Sequence, residues 1–183
     1  MSNLPTDLTS TWGVDAFRNP GIARFRKQLD ADTWANERAL NSLDSIPIEG
    51  RNTSAFERAM QLLPHNQLAK SAWLARIKQE AIENPKNWFP NWTLDQTREF
   101  SATTDHAWRE FLDKLRDDQL QTTVKYVNSK GEAYAALLED ILIHVFNHAT
   151  YHRGQLARIV SECGGKRPET DYIGFSYRPV SST

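Results

Sequence analysis

The sequence of 183 residues predicts an all-α fold, an antiparallel four-helix bundle with a short β or irregular segment ahead of its last helix. Three observations lead there. Four stretches place apolar residues at spacings of three and four, the mark of a helix with one buried face. The loops between them are modest, as antiparallel neighbours require. Strand character, meaning alternation with β-branched residues, is confined to residues 122–127. No internal repeat or low-complexity tract divides the chain. Its length suits one domain over residues 1–183, large enough to bury about 70% of its extended-chain surface.

Residues 1–20, with Pro5, Gly13 and Pro20, read as an irregular lead-in. The first helix is strongest at Trp34, Ala35, Ala39, Leu40 and Leu43, has Asp32 and Thr33 as its caps, and stops before Ser45-Ile46-Pro47. Ser54-Ala55-Phe56-Glu57 fits a capping box, in which hydroxyl and carboxylate satisfy orphan backbone amides. That second helix should run to about Glu80, with a kink or break at Pro64. Residues 84–92, NPKNWFPNW, read as a loop with bulky anchors. Thr93 and Asp95 open the third helix, along Phe100, Trp108, Phe111, Leu112 and Leu115. A strand or hairpin follows around Asn128-Ser129-Lys130-Gly131, then a fourth helix over about residues 132–163, stopped by Gly164-Gly165. The tail, residues 165–183, carries Tyr172, Ile173, Phe175 and Tyr177 and is expected to pack on the domain.

Composition narrows the function classes. Twenty-two Lys and Arg against 23 Asp and Glu give a formal net charge of −1, which removes the basic field of a nucleic-acid binder. The most apolar stretch, residues 133–146, is broken by Glu139, Asp140 and His144, so no membrane span is predicted. MSNLPTDLTS lacks the basic and apolar regions of a secretory signal, and the single Cys163 allows neither an internal disulfide nor a cysteine-based zinc site. A cytoplasmic location and a small-molecule substrate are the expectation. Cys163 reads as a small buried apolar residue and Asp117-Asp118 as solvated surface. The six Trp read as packing anchors, with Trp34 and Trp73 as candidate pocket walls.

Three of the five His lie in His144-Val-Phe-Asn-His148-Ala-Thr-Tyr-His152-Arg-Gly-Gln155. Residues four apart on a helix differ by about 40° around the axis and about 6 Å along it, so such a pair can share one ion. His144 and His152 are about 12 Å apart along the axis, too far for Zn–N bonds of about 2.0–2.1 Å. The stripe Ile141, Val145, His148, His152, Leu156, Ile159 has core-facing periodicity. With Ile141 as zero and about 100° per residue, His148 falls at about −20°, His152 at about +20° and His144 at about −60°. That favours the 148/152 pair. Two imidazoles in an apolar stripe need partners, and a metal would satisfy both. A third ligand must come from His65, His106 or a carboxylate; the His-Glu-x-x-His motif is absent.

HVFNHATYHRGQLARIV followed by CGGKRPETDYIGF resembles the C-terminal signature of the DinB-like family of metal-dependent proteins. Leu63-Pro64-His65 with Ser71-Ala72-Trp73-Leu74 resembles that family's second helix, Trp34-Ala35-Asn36-Glu37 its first, and Tyr126-Val127-Asn128 through Gly131 the segment before its last. The resemblance spans roughly residues 22–178. It implies an up-down-up-down bundle in which His65, His148 and His152 hold a divalent metal, with Zn, Ni and Fe not distinguishable. His144 is then structural or a neighbour of the ligands. On the same helical projection Arg153, at about +120°, points away toward a salt bridge or dimer contact, and Gln155, at about −40°, approaches the site. The implied activity is that of a metal-dependent transferase or hydrolase activating a small thiol or water against an electrophile, with a low-molecular-weight thiol as cosubstrate and a homodimer as assembly. The alternative is a non-catalytic metal- or ligand-binding bundle linked to stress.

Overall fold

The computed structural model describes residues 19–80 and 87–178. The lead-in over residues 1–18, residues 84–86 of the Trp-rich loop and residues 179–183 of the tail lie outside the described residues. Helix α1 (Pro20–Asp44) begins twelve residues before Asp32, so Asp32 and Thr33 are not its caps. Pro20 occupies the first turn, where a missing N–H costs nothing. The free amides of Gly21 and Ile22 donate to the Asp117 carboxylate, both at 2.9 Å. This helix is therefore capped by a residue distant in sequence, and Asp117 is a capping group instead of solvated surface.

A short helix, α2 (Ile48–Arg51), leads to α3 (Ser54–Lys78). The α3 cap is Thr53, whose hydroxyl accepts from Phe56 N at 3.1 Å, one residue ahead of the predicted Ser54 box. The helix continues through Pro64 without a break. It ends on Gln79 in the left-handed conformation (φ 57°), with Glu80 N donating to Ala75 O. Helix α4 (Leu94–Lys114) has the expected Thr93 cap, completed by Gln96 as a capping box. A 3-10 turn (Asp117–Gln121) precedes strands β1 (Thr123–Val127) and β2 (Ala133–Leu137), which pair antiparallel with Tyr126 opposite Tyr134. The last long helix, α5 (Leu138–Glu162), thus starts six residues later than predicted: Ala133-Tyr134-Ala135-Ala136 has good helix formers, but pairing with β1 overrides that preference. In the tail, α6 (Tyr172–Ser176) packs on α1, with Phe175 6.0 Å from the Trp34 ring.

The chain is mostly helical among the described residues, but the helix directions differ from the predicted order. Along α1, Arg26, Asp30, Thr33 and Asn41 meet Leu112, Arg109, Asp105 and Arg98 of α4, so these two helices run in opposite senses. One apolar cluster joins Ile22 and Leu29 to Leu74, Leu112 and Leu142; the other joins Leu40 and Leu43 to Leu62, Leu63 and Val160. Helices α1 and α5 therefore run one way and α3 and α4 the other, up-down-down-up in place of up-down-up-down. The connection from α3 to α4 returns beside α3, where Asn91 accepts from Gln61 at 2.7 Å, before α4 begins. Two successive helices that run the same way need a connection long enough to retrace the first, and α3 and α4 are separated by fifteen residues in sequence.

Between the two apolar clusters lies a polar layer. Asp32 and Asn36 of α1, Asn66, Gln67 and Lys70 of α3, and His152 and Arg153 of α5 are all buried there. Asp32 receives Lys70 at 2.7 Å and Arg153, and Lys70 also reaches Asp105 of α4 at 2.5 Å. Burial alone would raise the Asp32 pKa, but Lys70 and Arg153 outweigh it and hold the carboxyl below its usual value. Burial likewise opposes the charge on Lys70, and Asp32 and Asp105 reverse that, raising its pKa.

Candidate metal centre

His65 lies on α3 directly before Asn66 of this layer, and His148 and His152 lie on successive turns of α5. Asn66 Nδ2 donates to Ala149 O at 3.3 Å and fastens the two helices beside the histidines. Ring centroids are 5.3 Å apart for His65–His148, 4.7 Å for His65–His152 and 4.6 Å for His148–His152. One nitrogen from each ring lies within 4.8 Å of the others, a set that could hold a metal ion. Nitrogens bound to one tetrahedral ion stand about 3.4 Å apart, so closure on an ion needs ring shifts of about 1 Å or less.

The donor chemistry suits a cation. His65 Nδ1 donates to Trp88 O at 3.0 Å, and His152 Nδ1 donates to Gln155 Oε1 at 3.0 Å, which leaves the Nε2 lone pair of each ring free. All three rings are held neutral. Burial, then repulsion from His152, His65 and His144, pushes His148 down to about 4. Burial is the main cause of the lowered His65 and His152 values, aided by Arg58 and opposed by the Trp88 carbonyl and by Gln155 respectively. Neutral imidazole is the form that ligates.

The cluster is less deep than the stripe predicted. His152 is 8% exposed, whereas His65 and His148 are half-buried and border an open cleft of about 470 Å³. Trp73 lines it, together with Tyr126, Tyr134, Trp88 and Phe89. Trp34 does not: its ring stands against Phe175 and under Arg38. His144 is exposed and meets Trp73 edge-on at 5.3 Å, and His106 is exposed beside Glu110. Arg153 serves the buried ion network, not a surface contact. Cys163 is buried, 3.7 Å from the Thr53 hydroxyl.

Phe89 and Trp88 escaped the sequence reading. Phe89 stacks on His65 with centroids 4.1 Å apart and rings 16° from parallel, and the Arg58 guanidinium lies 4.0 Å from the Phe89 ring centre. Their Trp-rich loop was legible as an anchor, but its return along α3 has no local signal.

A helical chain with three converging neutral histidines and no carboxylate in the cluster defines a protein with a candidate histidine metal centre. The family follows from comparison with known sequences. The chain matches the DinB family over residues 25–179 and belongs to that family. It is 22% identical over 156 residues to Protein DinB of Bacillus subtilis (strain 168), a match that covers 80% of this chain and 90% of that one. No solved structure matches it. Among the described residues no helix is long and apolar enough to cross a membrane.

Proposed function

We propose that His65, His148 and His152 hold one divalent metal ion within a single four-helix-bundle domain, and that the protein is a metal-dependent enzyme of the transferase or hydrolase type. In this reading a small thiol or water attacks an electrophilic small molecule seated in the adjoining cleft. The observation that carries it is the convergence of three imidazole nitrogens within 4.8 Å beside an open, aromatic-walled cleft. Bound there, a divalent ion supplies a Lewis acid that lowers the pKa of a coordinated thiol or water.

The chain's own groups have assignable tasks. Trp88 O and Gln155 Oε1 orient His65 and His152 through their Nδ1–H groups. Trp73, Tyr126 and Tyr134 supply apolar walls that displace water from a bound molecule. The cluster contains no acidic fourth ligand among the described residues, which favours a site open to substrate over a closed structural or sensing centre.

Metal analysis of untagged protein is the direct test. Stoichiometric divalent ion, retained through dialysis and lost in His148→Ala, is the expected result. Zinc-loaded wild type that retains no ion defeats the metal centre. A retained ion without turnover across thiol and water nucleophiles supports the non-catalytic alternative.

A further inference from the structure

The walls of the cleft carry an unused cation. Arg76 lies three turns beyond His65 on α3, about 16 Å along the axis, and its side chain leans back toward the helix N-terminus and so toward the histidines. Its guanidinium lies near two rings, 4.8 Å from the Trp73 centroid and 5.9 Å from the Tyr126 centroid. Among the described residues Arg76 Nε is buried with no hydrogen-bond partner, and the guanidinium has no ion pair. The nearest acid in sequence, Glu80, is paired with Lys78 at 3.9 Å.

This arrangement contrasts with other half-buried and buried cations. Arg26 and Arg153 also carry a buried Nε with no hydrogen-bond partner, but Lys70 and Arg153 each have a carboxylate and Arg26 has Asp113, so the missing anion is what sets Arg76 apart. A guanidinium partly withdrawn from water and left without an anion is costly unless a ligand supplies one. Arg76 borders the same cleft as His65 and His148, and the described wall of that cleft has no acidic residue. It also borders an adjoining cleft of about 700 Å³, where Lys125 adds a second positive charge and the one acid, Glu80, is the partner of Lys78.

We propose that Arg76 is a carboxylate-binding residue, and that the molecule occupying the cleft is an elongated small organic acid whose acid end meets the guanidinium while its other end reaches the histidines. Trp73 and Tyr126 flank the fork, and a planar guanidinium matches a carboxylate with two parallel hydrogen bonds. Trp73 and Tyr126 then cover the apolar body of the same molecule. The inference rests on the preceding reading only for the histidine end, because the charge of the other end is set by Arg76.

Cobalt(II)-loaded protein can be titrated with 6-mercaptohexanoate and with 6-mercaptohexan-1-ol, following the thiolate-to-cobalt absorption. Wild type should prefer the acid by at least about tenfold, one good charge-assisted contact. Arg76→Gln should abolish that preference while binding cobalt as wild type does, and Arg76→Lys should keep part of it. Equal affinity for acid and alcohol in wild type, or an undiminished preference in Arg76→Gln, overturns the proposal. If wild type takes up no cobalt, the metal reading fails by itself. Calorimetry with hexanoate against hexan-1-ol on metal-free protein then decides the Arg76 inference, by the same tenfold preference and its loss in Arg76→Gln.

Discussion

Two polar clusters stand side by side in this molecule, and neighbouring residues feed them: His152 enters one and Arg153 the other. In the ion network, Asp32 is 0% exposed, Lys70 2%, Arg153 4% and Asp105 12%, and each charge has its opposite. In the histidine cluster two rings are half-buried, none is charged, and one nitrogen from each ring lies within 4.8 Å of the others with no hydrogen bond between the rings among the described residues. A closed set of matched charges is complete without a ligand and belongs to the architecture. An open set of converging imidazoles has room for a ligand, which is why the proposed function is placed there. The contrast predicts that substitutions in the two clusters have opposite signatures.

The largest effect is expected in the ion network. Asp32→Ala strands buried Arg153 and leaves Lys70 with Asp105 alone, and should cost about 3–5 kcal/mol, read as a lowered urea midpoint. A change below about 1 kcal/mol would show that water compensates the network and would break the comparison. His148→Ala should do the reverse, abolishing stoichiometric zinc binding in calorimetry while leaving the metal-free urea midpoint within about 1 kcal/mol, since His148 makes no hydrogen bond in the described structure. Gln155→Leu sharpens the picture by removing the orienting acceptor of His152: zinc affinity should fall by about 10–100-fold with little change in fold stability.

The smallest effect is the dependence on pH, and its sign separates the clusters. His148 has a folded pKa of about 4 against 6.5 when unfolded, so the unfolded chain binds the extra proton. Its contribution to metal-free stability is whole above 6.5 and is lost as pH falls through 6.5 toward 4. Asp32, lowered from 3.8, keeps its contribution until pH falls below that value, and Lys70, raised from 10.5, keeps its own until pH rises beyond it. Urea midpoints of metal-free protein should therefore fall between about pH 7 and 5, and more shallowly in His148→Ala. An identical slope in both proteins would assign the loss elsewhere.

Much of this was legible in the residues themselves. The i,i+4 pair His148 and His152 announced itself because helical periodicity places both on one stripe, and Thr93, Gly164 and the strand at residues 123–127 carry local signals that tertiary contacts left intact. Asp32 misled for a physical reason: an Asp before an apolar helical pattern has the chemistry of a cap, and only its partners on α3 and α5 make it a buried anion. Asp117 misled in the opposite way, since the amides it caps belong to Gly21 and Ile22, nearly a hundred residues earlier in the chain.

By itself, then, the sequence determined the helical class, the hairpin, the pairing of His148 and His152 on one helix face and the family, because each rests on residues adjacent along the chain or on a signature spanning it. The His65 partnership came from family resemblance. The tertiary structure decided the rest. It set the up-down-down-up order, which brings Trp88 and Phe89 back to His65, and it divided the polar residues into a closed ion network and an open histidine cluster. It also left Arg76 with rings but no anion among the described residues. These depend on which helix faces which, a property settled by burial and charge pairing across the whole fold and absent from any local stretch.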